Sequence, residues 1–143
     1  MDIRSTPGTA GTAVAGLGLI LLALTGCAVV NDVAYGRAES SAANPAELAQ
    51  TRGAALAWMP SDAADIRRVA STRADAESLL FTSDAALSGC EPVERRSAPT
   101  MIIDGAPDVY PLSEVQLCGE WAVATVDGVS YAWTPAIEAE PAR

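Results

Sequence analysis

The sequence predicts an α+β domain: a small antiparallel sheet of two hairpins, one N-terminal helix packed on it, and one disulfide as a staple. Three observations lead there. Asn44-Pro45-Ala46-Glu47 has the chemistry of a helix start, Asp127-Gly128 lies between two apolar runs, and Cys90 and Cys118 remain as a pair once Cys27 is assigned elsewhere.

The helix begins where Asn44 can cap it, Pro45 suits the first helical position, and Glu47 stands where a capping-box carboxylate reaches back. Leu48, Ala55, Leu56 and Met59 then recur near helical spacing. Gly53 weakens this helix by up to about 1 kcal/mol relative to Ala. Pro60 pushes Met59 toward extended backbone, so the helix is expected to end near Ala57.

Ile66 to Thr72 and Glu77 to Ser83 read as the first hairpin, around the polar turn Arg73-Ala74-Asp75. Strand alternation puts Leu79 and Phe81 on one face, with Val69 expected to pack beside them. A helix over 62–80 competes, because Ala, Arg and Glu are good helix formers. The second hairpin turns at Asp127-Gly128, a strong two-residue signal. It pairs Val126 with Val129, Ala124 with Tyr131 and Ala122 with Trp133, an apolar set taken as the core face. Trp121, Val123, Thr125, Ser130, Ala132 and Thr134 make the other, mixed face. Val115 to Cys118 suits a further strand, with Gly119 at the bend. Region 88–112 holds Pro92, Pro99, Pro107 and Pro111 and is expected to be irregular.

The N-terminus reads as a targeting segment. Arg4 precedes an apolar stretch of 12 residues, Ala13 to Leu24, the size of a signal-peptide core and short for a membrane span. Leu24-Thr25-Gly26-Cys27 follows and resembles the bacterial lipobox. That resemblance implies that the Cys27 sulfur receives a diacylglycerol group and that cleavage leaves Cys27 as the new N-terminus. Several acyl chains on one residue hold a membrane far more firmly than a single chain does. An uncleaved span from Ala10 to about Val30 is the alternative, and both place the remainder outside the membrane. Arg used without Lys, abundant Ala and the lipobox together point to an actinobacterial lipoprotein. The expected organisation is a signal peptide over 1–26, a lipidated flexible tether over 27–44, a globular domain over 45–135 and a loose tail over 136–143. The small polar run from Gly36 to Asn44 supports the tether, having nothing to bury.

With Cys27 lipidated, an even pair in an exported domain suggests a Cys90–Cys118 disulfide. Its loop closure is worth about 3–4 kcal/mol, which matters to a small Ala-rich domain. A redox pair or a metal site is the alternative; 28 positions separate the two, far from a C-x-x-C spacing, and no His stands by.

Composition excludes several functions. The chain has 143 residues, no His, no Lys and a net charge of −9. No Ser-His-Asp triad, Cys-His pair or His-ligated zinc site is possible within it, nor a Schiff-base or P-loop lysine. An acidic chain is a poor ligand for nucleic acid. Hydrophobic content of 50% includes 29 Ala, which overstates the core.

Trp58-Met59-Pro60, Asp65-Ile66-Arg67, Ser83-Asp84 with Leu87 and Cys90, Cys118-Gly119-Glu120-Trp121 and Trp133-Thr134-Pro135 together resemble small uncharacterised actinobacterial envelope lipoproteins, over about 58–135. The resemblance implies a location and a disulfide-containing domain, and nothing catalytic.

Carboxylates are the plentiful reactive groups. Asp104, Asp108, Glu114 and Glu120, near Trp121 and Tyr110 as sugar-stacking surfaces, are the candidates for a hydrolase acting on an envelope polymer; a solvated acidic surface is the simpler reading. Asp104 to Asp108 offers two carboxylates in a Pro-Gly loop but lacks the ligand alternation of an EF-hand, so no metal is expected. Arg67-Arg68 and Arg95-Arg96 suit phosphate or headgroup contacts or local neutralisation by Asp62, Asp65, Glu91 and Glu94. On a strand, Arg67 and Arg68 would point to opposite sides. Trp133 and Tyr131 fit the core, whereas Trp121, and with it Tyr110, is the candidate exposed binding surface. The expectation is a non-catalytic binding or accessory protein without cofactor, membrane-anchored through Cys27 on the extracytoplasmic face, with an envelope protein or glycan as partner.

Overall fold

A computed structural model describes residues 35–140. The expected signal peptide over 1–26 and the expected lipidation site Cys27 lie outside the described residues. Seven strands form one sheet: β1 (Arg37–Ala42), β2 (Ala64–Ser71), β3 (Glu77–Thr82), β4 (Glu91–Glu94), β5 (Glu114–Cys118), β6 (Trp121–Val126) and β7 (Val129–Thr134). Helix α1 (Pro45–Arg52) lies between β1 and β2, and a 3-10 turn at Ile137–Ala139 ends the described chain. The spatial order is β1-β2-β3-β7-β6-β5-β4, with every neighbouring pair antiparallel.

This corrects the expectation of two hairpins. The class remains roughly α+β, but both hairpins belong to one larger sheet, joined where β3 pairs with β7. The added edge strands, β1 and β4, escape alternation rules for a physical reason. β1 reads Arg-Ala-Glu-Ser-Ser-Ala and β4 reads Glu-Pro-Val-Glu. Edge strands bury little and are blunted with charge and proline, so they carry almost no apolar period. Hence residues 37–42, read as tether, are a paired strand, and 91–94 form a strand inside the region read as irregular.

Asn44 caps α1, its Oδ1 accepting the Glu47 N–H at 3.0 Å, while the Glu47 carboxylate accepts the Ala43 N–H at 2.9 Å. The helix ends at Arg52, five residues short of the expected Ala57. Gly53 takes φ 80° and donates its N–H to the Ala49 carbonyl at 2.8 Å. It is the left-handed C-terminal cap, not a weak interior position.

The strand reading of 62–80 holds, but its facing is corrected. Asp65 adopts φ 52°, and the β2–β3 register shifts between Ala64 and Arg67. Beyond that shift the register runs unbroken from Arg67–Leu80 to Ala70–Glu77, so Val69 pairs with Ser78 and lies on the face opposite Leu79 and Phe81. At the second hairpin the expected pairs Val126–Val129, Ala124–Tyr131 and Ala122–Trp133 are all present. Asp127 and Gly128 both have positive φ, as a type I′ turn requires.

Both faces of the sheet are covered. On one, Leu48 of α1 with Trp58, Met59 and Ala63 packs over Ile66, Leu79, Phe81, Cys118, Trp121 and Val123. On the other, Ile103, Val109 and Ala136 cover Val69, Leu80, Val115, Ala122, Tyr131 and Trp133. The face read as mixed is thus a second core.

Cys90 and Cys118 are joined, with Cα atoms 4.4 Å apart. They flank the Glu91–Leu117 pair and close the β4–β5 edge. The C-terminal segment, expected to be loose, is pinned as far as Glu140. The buried Glu138 carboxylate accepts the N–H groups of Arg96 and Ser97 at 2.6 and 2.7 Å and the Ser97 hydroxyl at 2.5 Å. Trp133 Nε1 donates to Ser97 Oγ at 2.9 Å. Burial pushes the Glu138 carboxyl upward, but these hydrogen bonds together outweigh it and hold the group below its ordinary value.

Candidate functional site

A polar cleft forms at one end of the sheet, where Ala70 and Ser71 of β2, Ala76 and Glu77 at the start of β3, Thr134 of β7, and Glu120 and Trp121 before and in β6 converge. Its volume is about 300 Å³. The antiparallel meander brings strand ends that are distant in sequence to one place, and the last turn of α1 adds Arg52.

Two guanidinium groups share one carboxylate there. Arg52 grips Glu77 with two bonds, Nε to Oε1 at 2.8 Å and Nη2 to Oε2 at 3.1 Å, and donates Nη1 to the Ala54 carbonyl at 3.0 Å. Arg68 donates Nε to the same Oε1 at 2.5 Å. All three side chains are largely buried, with 12–18% exposure. The Arg52 guanidinium also lies 5.5 Å over the Trp121 ring, and Trp121 stands 5.6 Å from Trp58. Arg52 is therefore held on both faces of its function, by charge and by stacking. Arg68 is not: no acceptor among the described residues takes its terminal Nη groups. The triad carries one more positive than negative charge in a site shielded from water. Glu120 and Asp75 are exposed carboxylates on its lining.

Trp121 and Tyr110 do not form one surface. Trp121 is 6% exposed and lies beneath Arg52, in the core on the α1 side. It is not an exposed contact, because the helix end covers it. Tyr110 is 71% exposed, on the loop layer of the opposite face. The Arg95 guanidinium lies 5.8 Å over its ring and is fixed by the carbonyls of Leu112, Ser97 and Tyr110.

The carboxylates considered together at the sequence level are dispersed. Glu114 opens β5 and Glu120 follows its end, so about 13 Å of strand separates them. Asp108 accepts the Tyr110 N–H at 3.0 Å. Among the described residues no group of three or more His, Cys, Asp or Glu is placed to hold a metal ion. Arg67 and Arg68 do point to opposite sides, but none of Asp62, Asp65, Glu91 and Glu94 pairs with either; Arg68 meets Glu77 instead. Arg67 donates to the Asp104 carbonyl at 2.6 Å, and Arg96 to the carbonyls of Ile137 and Glu140. Arg67, Arg95 and Arg96 staple loops by their backbone.

Sequence reasoning missed Arg52 and Glu77 as site residues and paired Arg68 with the wrong acids. The partners lie 25 and 9 positions from Glu77, and no local pattern marks them. Among the described residues no helix is long and apolar enough to cross a membrane. No protein-family model matches the chain, and no curated protein or solved structure matches it.

Proposed function

We propose that this is a lipid-anchored, extracytoplasmic binding protein of the cell envelope, non-catalytic, whose ligand brings an anionic group to the Arg52–Arg68–Glu77 cleft. One observation carries the reading: a largely buried triad with an excess positive charge, in which Arg68 keeps its terminal nitrogens without an acceptor among the described residues. A guanidinium is a bidentate partner for carboxylate or phosphate. Arg52 and the Trp121 ring beneath it hold the site in shape, so little ordering cost falls on binding. The lipobox at Leu24 to Cys27 supports the anchor. With β1 starting at Arg37, ten residue steps from Cys27 keep the domain within about 35 Å of the bilayer.

Two experiments test this. The intact mass of membrane-extracted protein reads the anchor: loss of residues 1–26 with added acyl mass is expected, and a species retaining them without lipid contradicts it. Cross-linking capture from intact membranes, with wild type and Arg68→Gln compared as bait, reads the cleft. A component held by wild type and lost with the variant is expected; equal capture by both contradicts it.

A further inference from the structure

We infer that two copies of this chain pair through β1, antiparallel and in one register, so that the two seven-stranded sheets become one. The inference is independent of the cleft.

The two edges of the sheet are treated differently. At β4, the Arg95 N–H bonds the Ser113 carbonyl, which with the register fixes Glu91 and Val93 as the residues bonded to β5. Pro92 and Glu94 then point their backbone outward, and Pro92 has no N–H to offer. This edge is short, acidic and capped by proline, the usual means of blocking edge pairing. At β1, the Thr72 N–H bonds the Gly36 carbonyl at 2.9 Å. Ala38, Ser40 and Ala42 therefore bond to β2, and Arg37, Glu39 and Ser41 turn their N–H and C=O groups outward. No described residue takes them, and no proline interrupts the strand.

The charges on β1 select the occupant and its register. Antiparallel pairing requires outward residues to face outward residues. Placing Arg37 opposite Glu39 of a second copy brings Glu39 opposite Arg37 of that copy by the two-fold axis. Ala38 then lies opposite itself at the axis, two small side chains at a close pair. Within one chain Arg37 already holds Glu39 at 3.0 Å, so the four charges alternate in sign around the axis. Shifting the centre to Glu39 would set two carboxylates face to face, which is unfavourable. The strand is thus complementary to itself in one register, as an isologous interface demands. Confinement of both copies to a membrane would raise their effective concentration.

The test uses the full chain in detergent micelles. Ala38→Cys places two thiols across a non-hydrogen-bonded pair, about 4.5 Å between Cα atoms, within disulfide reach. Mild oxidation is expected to give a covalent dimer with Ala38→Cys and none with Ser40→Cys, whose copies stand about 13 Å apart along the strand. Glu39→Arg should weaken dimerisation of the otherwise native chain about tenfold by sedimentation, as two attractive pairs become repulsive. Arg37→Glu combined with Glu39→Arg should restore it. A wild-type monomer at tens of micromolar, cross-linking through Ser40→Cys instead, or a Glu39→Arg dimer of unchanged affinity would each overturn the inference. So would a monomer whose Arg37, Glu39 and Ser41 amides resist hydrogen exchange, since another stretch of the same chain would then occupy the edge.

Discussion

Glu77→Gln is the substitution that separates the structural from the functional part of the cleft. The Glu77 carboxylate accepts three bonds from two guanidinium groups, all at 12–18% exposure. Gln keeps the shape and one acceptor oxygen but removes the charge, leaving two cations side by side, with Arg52 over Trp121. Charge-assisted bonds are worth about 1.5–3 kcal/mol each, and stranding a buried charge costs about 3–5 kcal/mol. Residual solvent and the remaining oxygen discount this to about 2 kcal/mol. For a domain of this size that lowers Tm by about 8–16 °C. Thermal unfolding followed by circular dichroism reads it directly, with Trp fluorescence reporting the release of Arg52 from Trp121. Part of the loss should persist in high salt, because a shielded triad is screened less than a surface pair. Arg68→Gln loses one bond at the open side of the triad and should shift Tm by less than half as much. A Glu77→Gln protein melting within about 2 °C of wild type, or an Arg68→Gln protein less stable than it, would refute the reasoning.

Further outcomes follow from other elements. Replacing Cys90 and Cys118 together by Ser opens the β4–β5 edge and should cost about 3–4 kcal/mol, matched by reduction of the wild type, in urea unfolding. Glu138, held below the ordinary Glu value of 4.5, contributes stability that is present above that value and lost as pH falls through its lowered folded value. Glu138→Gln should therefore flatten the fall in urea midpoint between pH 5 and pH 3; an unchanged acid limb would contradict this. Gly53→Ala, forced into the left-handed region at φ 80°, should destabilise by about 1 kcal/mol despite Ala's higher helix propensity.

What the sequence shows of this fold depends on how locally each feature is encoded. Asp127-Gly128 and its flanking alternation specify one hairpin to the residue, because a two-residue turn fixes register. Asn44, Pro45 and Glu47 likewise specify a helix start through contacts within four positions. The helix end is not legible at Gly53, because one glycine is equally an interior weakness and a cap until its φ is known. The edge strands at 37–42 and 91–94 leave no period, since only a neighbour strand makes them strands. Trp121 was misplaced for another reason. Trp121-Ala122-Val123-Ala124 is a continuous apolar run, the mark of a strand covered on both sides, so its burial is legible in the sequence. The Arg52–Glu77–Arg68 triad is not legible, because only the packing of α1 brings Arg52 onto the β2–β3 hairpin that carries Arg68 and Glu77.

The most direct measurement is an NMR titration of the full chain in detergent micelles with inorganic phosphate and, separately, acetate, observing Arg side-chain Nε–H signals and the Trp121 indole. The account expects saturable shifts at Arg68 and Trp121 with at least one anion, absent in Arg68→Gln while that variant stays folded. No shift with either anion, or the same shifts in Arg68→Gln, would contradict an anion-binding cleft.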